Sequence, residues 1–480
     1  MLLQYLLENL TNVEISGQTN REINKIEYNS NKIKNGDVFV AITGYKDNGI
    51  KYIDDAISKG AVAIVHEGDI EHKEDITYIK VENARIALAI MASTYYGDPA
   101  RKLKMIGITG TKGKTTTAYM IRDIMLASGK KIGMIGTVCN TYGKVTEESI
   151  RTSPESLDLQ ALLARMVDAG MEYVVMEVSS HALELERVYG IKFLVGVFTN
   201  LSEDHLDFHK TMDKYLEAKA KLFKQSDFAI INGDDIYAPR LLKMIDIKKA
   251  TYGLDNAVDL TATDIRVNPS YVEFKMYVNR MLETIRINIP GRFTVYNALA
   301  AIGVCSLFGA QMDAISGALG ALRVPGRNEV VELNKTFTVI VDYAHTPDGI
   351  ANVLNTAKEL HPNKIITIVG CGGGTGSDRT KRSEMGNLVL SISDKTIFTN
   401  DNPRDEDPNQ IINDLLKEKI NNNYIIELDR KKAINKGINM LTNNDILLIL
   451  GKGHENYQII GNNKTHFNDK ETVLEITKEK

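Results

Sequence analysis

The sequence predicts an α/β protein of three domains: a small mixed α/β unit, a central unit with a mostly parallel sheet, and a Rossmann-like α/β unit. Three observations lead there. The chain has 480 residues, and length alone suggests about three domains. Apolar runs alternate with helix-period segments from residue 104 to about 250 and again beyond residue 338, as when helices connect parallel strands. Between those regions, from about 250 to 289, the period changes to that of antiparallel strands.

Residues 1–98 hold short mixed elements. Asp37-Val-Phe-Val-Ala-Ile42 and Ala61-Val-Ala-Ile-Val65 read as buried strands, with a helix over 52–59 between them. Asp98-Pro-Ala-Arg-Lys102 is polar and broken by proline, which makes it the first boundary. The central domain then runs 99–325. Its strands are Lys131–Ile135, Tyr173–Val178, Phe193–Phe198 and Phe228–Ile231, with helices at 157–169, 212–223 and 297–307. Val324-Pro-Gly-Arg327 is the second linker. The last domain, 326–480, has apolar strands at Thr338–Asp342, Lys364–Gly370, Lys395–Asp401 and Ile446–Gly451. Polar or glycine-rich sequence follows each, at the strand ends where open α/β sheets bind ligands.

The central domain opens with Met105–Ile108, a short buried strand, and Gly110-Thr-Lys-Gly-Lys-Thr-Thr116. Gly110 and Gly113 permit a tight turn with backbone N–H groups pointing inward. Ala118, Ile121, Ile124 and Met125 recur at helical spacing, so the turn feeds the positive end of a helix. Strand, glycine turn, Lys-Thr and helix together make a phosphate cradle, with Lys114 on phosphate oxygens and Thr115 on Mg²⁺. The loop is a short version, because Ile108 stands where the eight-residue pattern has its first glycine. Thr111, Lys112 and Thr116 complete the nucleotide-contacting stretch.

Composition narrows the function. Hydrophobic content of 43% and charged content of 25% are ordinary for a globular protein. A net charge of −4 without a basic run argues against nucleic acid as a partner. Three scattered cysteines form neither a disulfide framework nor metal-ligand spacing, as expected of a cytoplasmic protein. No apolar run approaches a membrane span, and the opening Met-Leu-Leu-Gln-Tyr-Leu-Leu lacks a basic leader.

Several residue groups carry chemistry. Glu177 ends an apolar strand, where it either completes a hard-oxygen Mg²⁺ site with Thr115 or is a solvated strand end. Lys219 shares a helical face with Tyr215 and Phe223. It reads first as a salt-bridged or snorkelling lysine, and otherwise as a buried neutral amine able to take up CO₂. Arg404, in Asp401-Asn-Pro-Arg, suits capture of a carboxylate, and Arg379 and Arg382 add positive charge. Glu455, in Gly451-Lys-Gly-His-Glu, suits an ammonium. Arginines and a glutamate together describe a site for a zwitterion.

In combination and order, these segments resemble the Mur ligase family over nearly the whole chain. The carrying motifs are Gly110–Thr116, Met176-Glu-Val-Ser-Ser-His-Ala-Leu183, Phe198-Thr-Asn-Leu-Ser-Glu-Asp-His-Leu-Asp-Phe-His209, Asp342-Tyr-Ala-His-Thr-Pro347, Asp401–Arg404 and Gly451–Glu455. The resemblance implies a uridine-nucleotide domain, a central ATPase domain and an amino-acid domain. It implies ATP-driven amide formation through an acyl phosphate, joining meso-diaminopimelate to a UDP-linked muramoyl dipeptide. It further implies that Glu177 and His205 are metal ligands for two Mg²⁺ ions and that Lys219 is carbamylated. Asn297, Arg327 and Asp342 would contact ATP, with His345 nearby. Thr152, Ser153, Ser179 and Arg187 would hold the dipeptide, and Ser30 the uridine diphosphate end. Arg382, Asp401, Asn402, Arg404, Gly451 and Glu455 would hold diaminopimelate, and the enzyme would act as a monomer. Departures from the family pattern are Asn29-Ser-Asn31, Leu185, Gly372-Gly-Gly-Thr-Gly-Ser-Asp378 and Ser383. The rival readings are a ligase for lysine or another diamino acid, a folate glutamate ligase, and a nucleotide-dependent switch. No Asn-Lys-x-Asp guanine motif supports a GTPase.

Overall fold

A computed structural model describes residues 1–44, 47–278, 281–374 and 379–478. Its centre is a nine-stranded sheet among the described residues. The strand Lys104–Thr109 lies in the middle, parallel to Tyr173–Glu177 on one side and Phe193–Phe198 on the other. Ser226–Asn232, Lys248–Gly253 and Leu260-Thr261 extend the parallel sheet beyond Phe193–Phe198. On the other side come Ile132–Ile135 and an antiparallel hairpin, Cys139–Tyr142 with Val145–Glu148.

The three central strands are apolar and almost wholly buried, because helices cover both faces. Lys114–Ala127 and Arg292–Leu307 pack on one face, and Ser156–Asp168 and Met212–Lys224 on the other. Register sets the function of the sheet edge. Glu177 pairs with Ile108, and Phe198 pairs with Thr109, so three strands end level with the glycine turn. The antiparallel segment of 250–289 divides. Lys248–Gly253 joins the central sheet, while Thr263–Asn268, Tyr271–Val278 and Met281–Ile287 form a separate three-stranded sheet.

The C-terminal sheet has six strands among the described residues, two more than the apolar runs predicted. Thr338–Asp342, Ile446–Leu450, Ile365–Val369 and Lys395–Phe398 are parallel neighbours in that order. Tyr424–Ile426 adds a parallel edge, and Glu329-Val330 pairs antiparallel with Thr338–Asp342. These additions are only three and two residues long, so they give little periodicity to detect. The N-terminal sheet likewise gains Glu14–Ser16, Ile26-Glu27 and Thr77–Lys80 around the two predicted strands. No helix among the described residues is long and apolar enough to cross a membrane.

Candidate active site

The glycine turn is held by close approach. Gly110 has φ +152°, and a Cβ there would lie 1.8 Å from Thr199 Oγ1. Gly113, at φ +84°, would place a Cβ 2.4 Å from Asn297 Oδ1. A side chain at either position would push the loop off its supports. Asn200 secures the turn by accepting from Lys112 N at 2.8 Å and donating to Lys112 O at 3.1 Å.

Lys114 begins the helix and folds back, its Nζ donating to Gly110 O at 2.9 Å and Thr111 O at 3.0 Å. Burial pulls its ammonium down to about 8. Thr115 Oγ1 donates to Glu177 Oε2 at 3.0 Å, which brings together the two residues read as a metal pair. Thr137, which no sequence signal marked, completes the arrangement. Its N donates to Glu177 Oε1 at 2.8 Å, its hydroxyl donates to Oε2 at 3.0 Å, and Thr152 Oγ1 stands 3.1 Å from that hydroxyl. A buried carboxylate with two hydroxyls suits a hard cation.

Lys219 is the largest departure from the first reading of the residues. It is 1% exposed, and no carboxylate pairs with it among the described residues. Its Nζ donates to Gly110 O at 2.8 Å and sits 4.3 Å over the Tyr215 ring. Burial first, and the Lys114 charge second, hold its ammonium well below the ordinary lysine range. It is neither snorkelling nor salt-bridged.

His205 has φ +56° at the start of a short helix, with His181 edge-on at 4.8 Å. Burial lowers its imidazole to about 4, so it is neutral near pH 7 and able to ligate metal. Asp204 pairs with Lys112 at 3.3 Å. Burial alone would raise the Asp204 carboxyl, but the Lys112 and histidine charges outweigh it and hold it low. Sequence reasoning had not given Asp204 a role.

The linker supplies the roof. Arg327 extends Nη2 to 3.4 Å from Thr115 Oγ1 and lies 4.7 Å over the Tyr343 ring. Asp342 accepts from Asn328 N at 2.5 Å and Ala344 N at 2.7 Å, so its carboxylate fastens the linker directly. Lys114, Thr115, Glu177, Asn297, Arg327 and Asp342 line one cavity of about 380 Å³, together with Lys112, Thr152, His205 and His345. Seven of these come from residues 99–325 and two, Asp342 and His345, from beyond the linker, with Arg327 in the linker between. The cavity therefore lies where the two parallel sheets meet.

Ser153 and Ser179 adjoin Glu177: Ser153 Oγ donates to Glu177 O at 2.9 Å and lies 3.3 Å from Ser179 Oγ. Arg187 reaches Glu155 at 3.2 Å and Ser153 O at 3.3 Å, and Glu155 also pairs with Arg85 at 3.2 Å. Ser30 lies apart. It is buried in a turn of the N-terminal domain and does not line the cavity.

The last group forms a second centre on the C-terminal sheet. Asn402 Nδ2 donates to Glu455 Oε2 at 2.8 Å, and Gly451 at φ +111° is packed against the Asp401 carboxylate. Arg404 Nη1 donates to Gly373 O at 2.8 Å, and the residue is exposed. Arg382, expected as a ligand contact, already has partners within the protein. It is fully buried and paired with Glu406 at 2.7 Å and Asp414 at 2.8 Å, so it braces the wall behind the site. Arg379 is also taken, by Glu406 at 3.0 Å. Of the Gly372–Asp378 departure from the family pattern, residues 375–378 lie outside the described residues.

A phosphate cradle, a carboxylate with hydroxyls suited to a hard cation, and a separate polar centre on a linked parallel sheet are what an ATP-dependent ligase needs. Three family models match in turn: the Mur ligase family catalytic domain over 22–96, the Mur ligase middle domain over 108–305, and the Mur ligase glutamate ligase domain over 326–453. The chain belongs to the Mur ligase family. It is 45% identical to the UDP-N-acetylmuramoyl-L-alanyl-D-glutamate–2,6-diaminopimelate ligase of Clostridium perfringens, covering 99% of both chains. A solved structure of a ligase with the same description is similar at 28% identity and TM-score 0.70, covering 100% of this chain and 99% of that one. The MurF ligase of Thermotoga maritima, solved in complex with ADP, has the same fold at 19% identity, with TM-score 0.61 over 95% and 97% of the two chains.

Proposed function

We propose that this protein joins meso-diaminopimelate to UDP-N-acetylmuramoyl-L-alanyl-D-glutamate, an ATP-driven step in peptidoglycan precursor synthesis. The observation that carries the reading is the pairing of Asn402 with Glu455 beside Arg404 at the strand ends of the C-terminal sheet. An acceptor for an ammonium and a guanidinium for a carboxylate stand in one region, as a zwitterionic side chain needs. The full-length likeness to diaminopimelate ligases supports the same choice.

In this reading Lys114 and the turn amides hold the ATP phosphates, and Arg327 approaches from the linker side. Asn297 and Asp342 also contact ATP in this reading. The dipeptide lies along Thr152, Ser153, Ser179 and Arg187, with its uridine diphosphate towards Ser30. Its glutamyl carboxylate attacks the γ-phosphate, ADP leaves, and the amine then displaces phosphate from the acyl phosphate. Thr115, Glu177, His205 and a carbamylated Lys219 would hold two Mg²⁺ ions, which supply charge neutralisation at the transferred phosphoryl group. Closure between the sheets keeps water from the acyl phosphate. We further propose domains at 1–98, 99–325 and 326–480, each with its own apolar core, and a cytoplasmic monomer.

Purified protein with ATP, Mg²⁺ and the UDP-linked dipeptide tests the reading directly. Phosphate release should be strong with meso-diaminopimelate and weak with lysine. A preference for lysine would overturn the amino acid while leaving the ligase chemistry, and no release with any amine would overturn the function.

A further inference from the structure

Lys452 has no role in the reading above, yet it is a fully enclosed cation in direct contact with Glu455 of the proposed amino-acid site. Its side chain is 0% exposed. The ammonium lies 3.0 Å from Glu455 Oε2, 3.3 Å from Asn402 Oδ1 and 3.8 Å from Asp401 Oδ1. The Tyr457 ring lies 5.5 Å away. Arg430 and Asp469, beneath the same strand ends, form a closed pair at 2.7 Å, so Lys452 is the cation in direct contact with Glu455.

Two donors, Lys452 and Asn402, both occupy Oε2 of Glu455. Among the described residues no donor reaches Oε1, which leaves it for an incoming amine. The carboxylate that is expected to receive the ligand's ammonium is therefore already neutralised by a buried charge of its own chain. In a low-dielectric pocket that cancellation is large. An amine alone gains little from a carboxylate paired in this way. An amine accompanied by a carboxylate also gains the Arg404 contact.

We infer that Lys452 is a specificity-determining positioning residue, which pre-neutralises Glu455 so that the site accepts a zwitterionic side-chain end and rejects a plain cation. This rests on the proposed amino-acid site. Selectivity of this kind comes from making the wrong ligand unfavourable as well as the right one favourable.

The test compares kcat/KM for meso-diaminopimelate and for L-lysine in wild type, Lys452→Met and Lys452→Gln. Removing the ammonium should lower the diaminopimelate-to-lysine ratio at least tenfold, with gain on lysine contributing to the change. KM for ATP and for the UDP-linked dipeptide should stay within twofold, which a general loosening of the fold would not allow. Lys452→Gln keeps hydrogen-bonding capacity without charge and carries the test should the Met variant fail to fold. A ratio within threefold of wild type in a folded variant overturns the inference. Wild-type protein that ligates neither amine overturns the proposed site instead, so the two failures are distinct.

Discussion

Lys114 and Lys219 donate to the same carbonyl oxygen, that of Gly110, at 2.9 and 2.8 Å. Two ammonium groups converging on one acceptor in a buried site repel, which disfavours the charged form of the more deeply buried one. That is Lys219, whose ammonium is held well below the lysine range by burial and by Lys114. The geometry thus favours the neutral form of this amine beside the phosphate cradle, the form that carbamate formation requires.

Lys219→Ala should abolish turnover, and short carboxylates should restore part of it by replacing the carbamate oxygens. Incubating the wild type with ¹³C-labelled bicarbonate should give a carbamate resonance that the variant lacks. Full activity of Lys219→Ala in CO₂-depleted buffer would remove the carbamate from the mechanism.

Lys114→Ala should keep its fold and lose catalysis. An ammonium aimed at a transferring phosphoryl group contributes about 3 kcal/mol or more, so kcat should fall by at least about a hundredfold. Steady-state kinetics with a thermal melt as the folding control checks this, and near-normal turnover would rule out the nucleotide site.

The Lys114 ammonium also predicts a proton linkage. Its folded value, about 8, lies below the ordinary 10.5. Between those values the unfolded chain binds more protons, so this group's contribution to stability rises with pH through that window. ATP phosphates favour the charged form, so binding at pH 8.5 should draw a proton from solution. Calorimetry in buffers of different ionisation enthalpy measures that uptake, and Lys114→Ala should lack it.

Arg404→Ala should raise the KM for diaminopimelate roughly ten- to a hundredfold, since a charge-assisted bond contributes about 1.5–3 kcal/mol. KM for ATP should barely move, because the nucleotide cavity does not include Arg404. An unchanged diaminopimelate-to-lysine preference would sink the assignment of that arginine.

Asp469→Ala should be severely destabilising. Arg430 is fully buried, donates twice to Asp469 at 2.7 and 2.8 Å, and also reaches Leu450 O and Asn400 O. Leaving that guanidinium unpaired costs about 3–5 kcal/mol. Denaturant unfolding should show it, with loss of amino-acid affinity because Asn400 and Leu450 adjoin Asp401 and Gly451.

Local chemistry was readable in the chain wherever neighbours in sequence do the work. The glycine turn, the helix after it and the four long C-terminal strands follow from residue spacing within about fifteen positions. The pairing of Thr115 with Glu177 was open at that level, because a strand-end carboxylate carries no local mark of its partner. Parallel register decided it, by ending Tyr173–Glu177 level with the phosphate loop. Thr137, Asp204 and Lys452 had no visible role for the same reason: each acts through residues brought near by sheet topology. Arg382 shows the reverse. Its sequence position beside a glycine-rich loop suggested a ligand contact, and only the fold shows that Glu406 and Asp414, contributed by later segments, also pair with it. Residue type and spacing limit what a side chain can do, while burial and non-local partners decide which of those things it does.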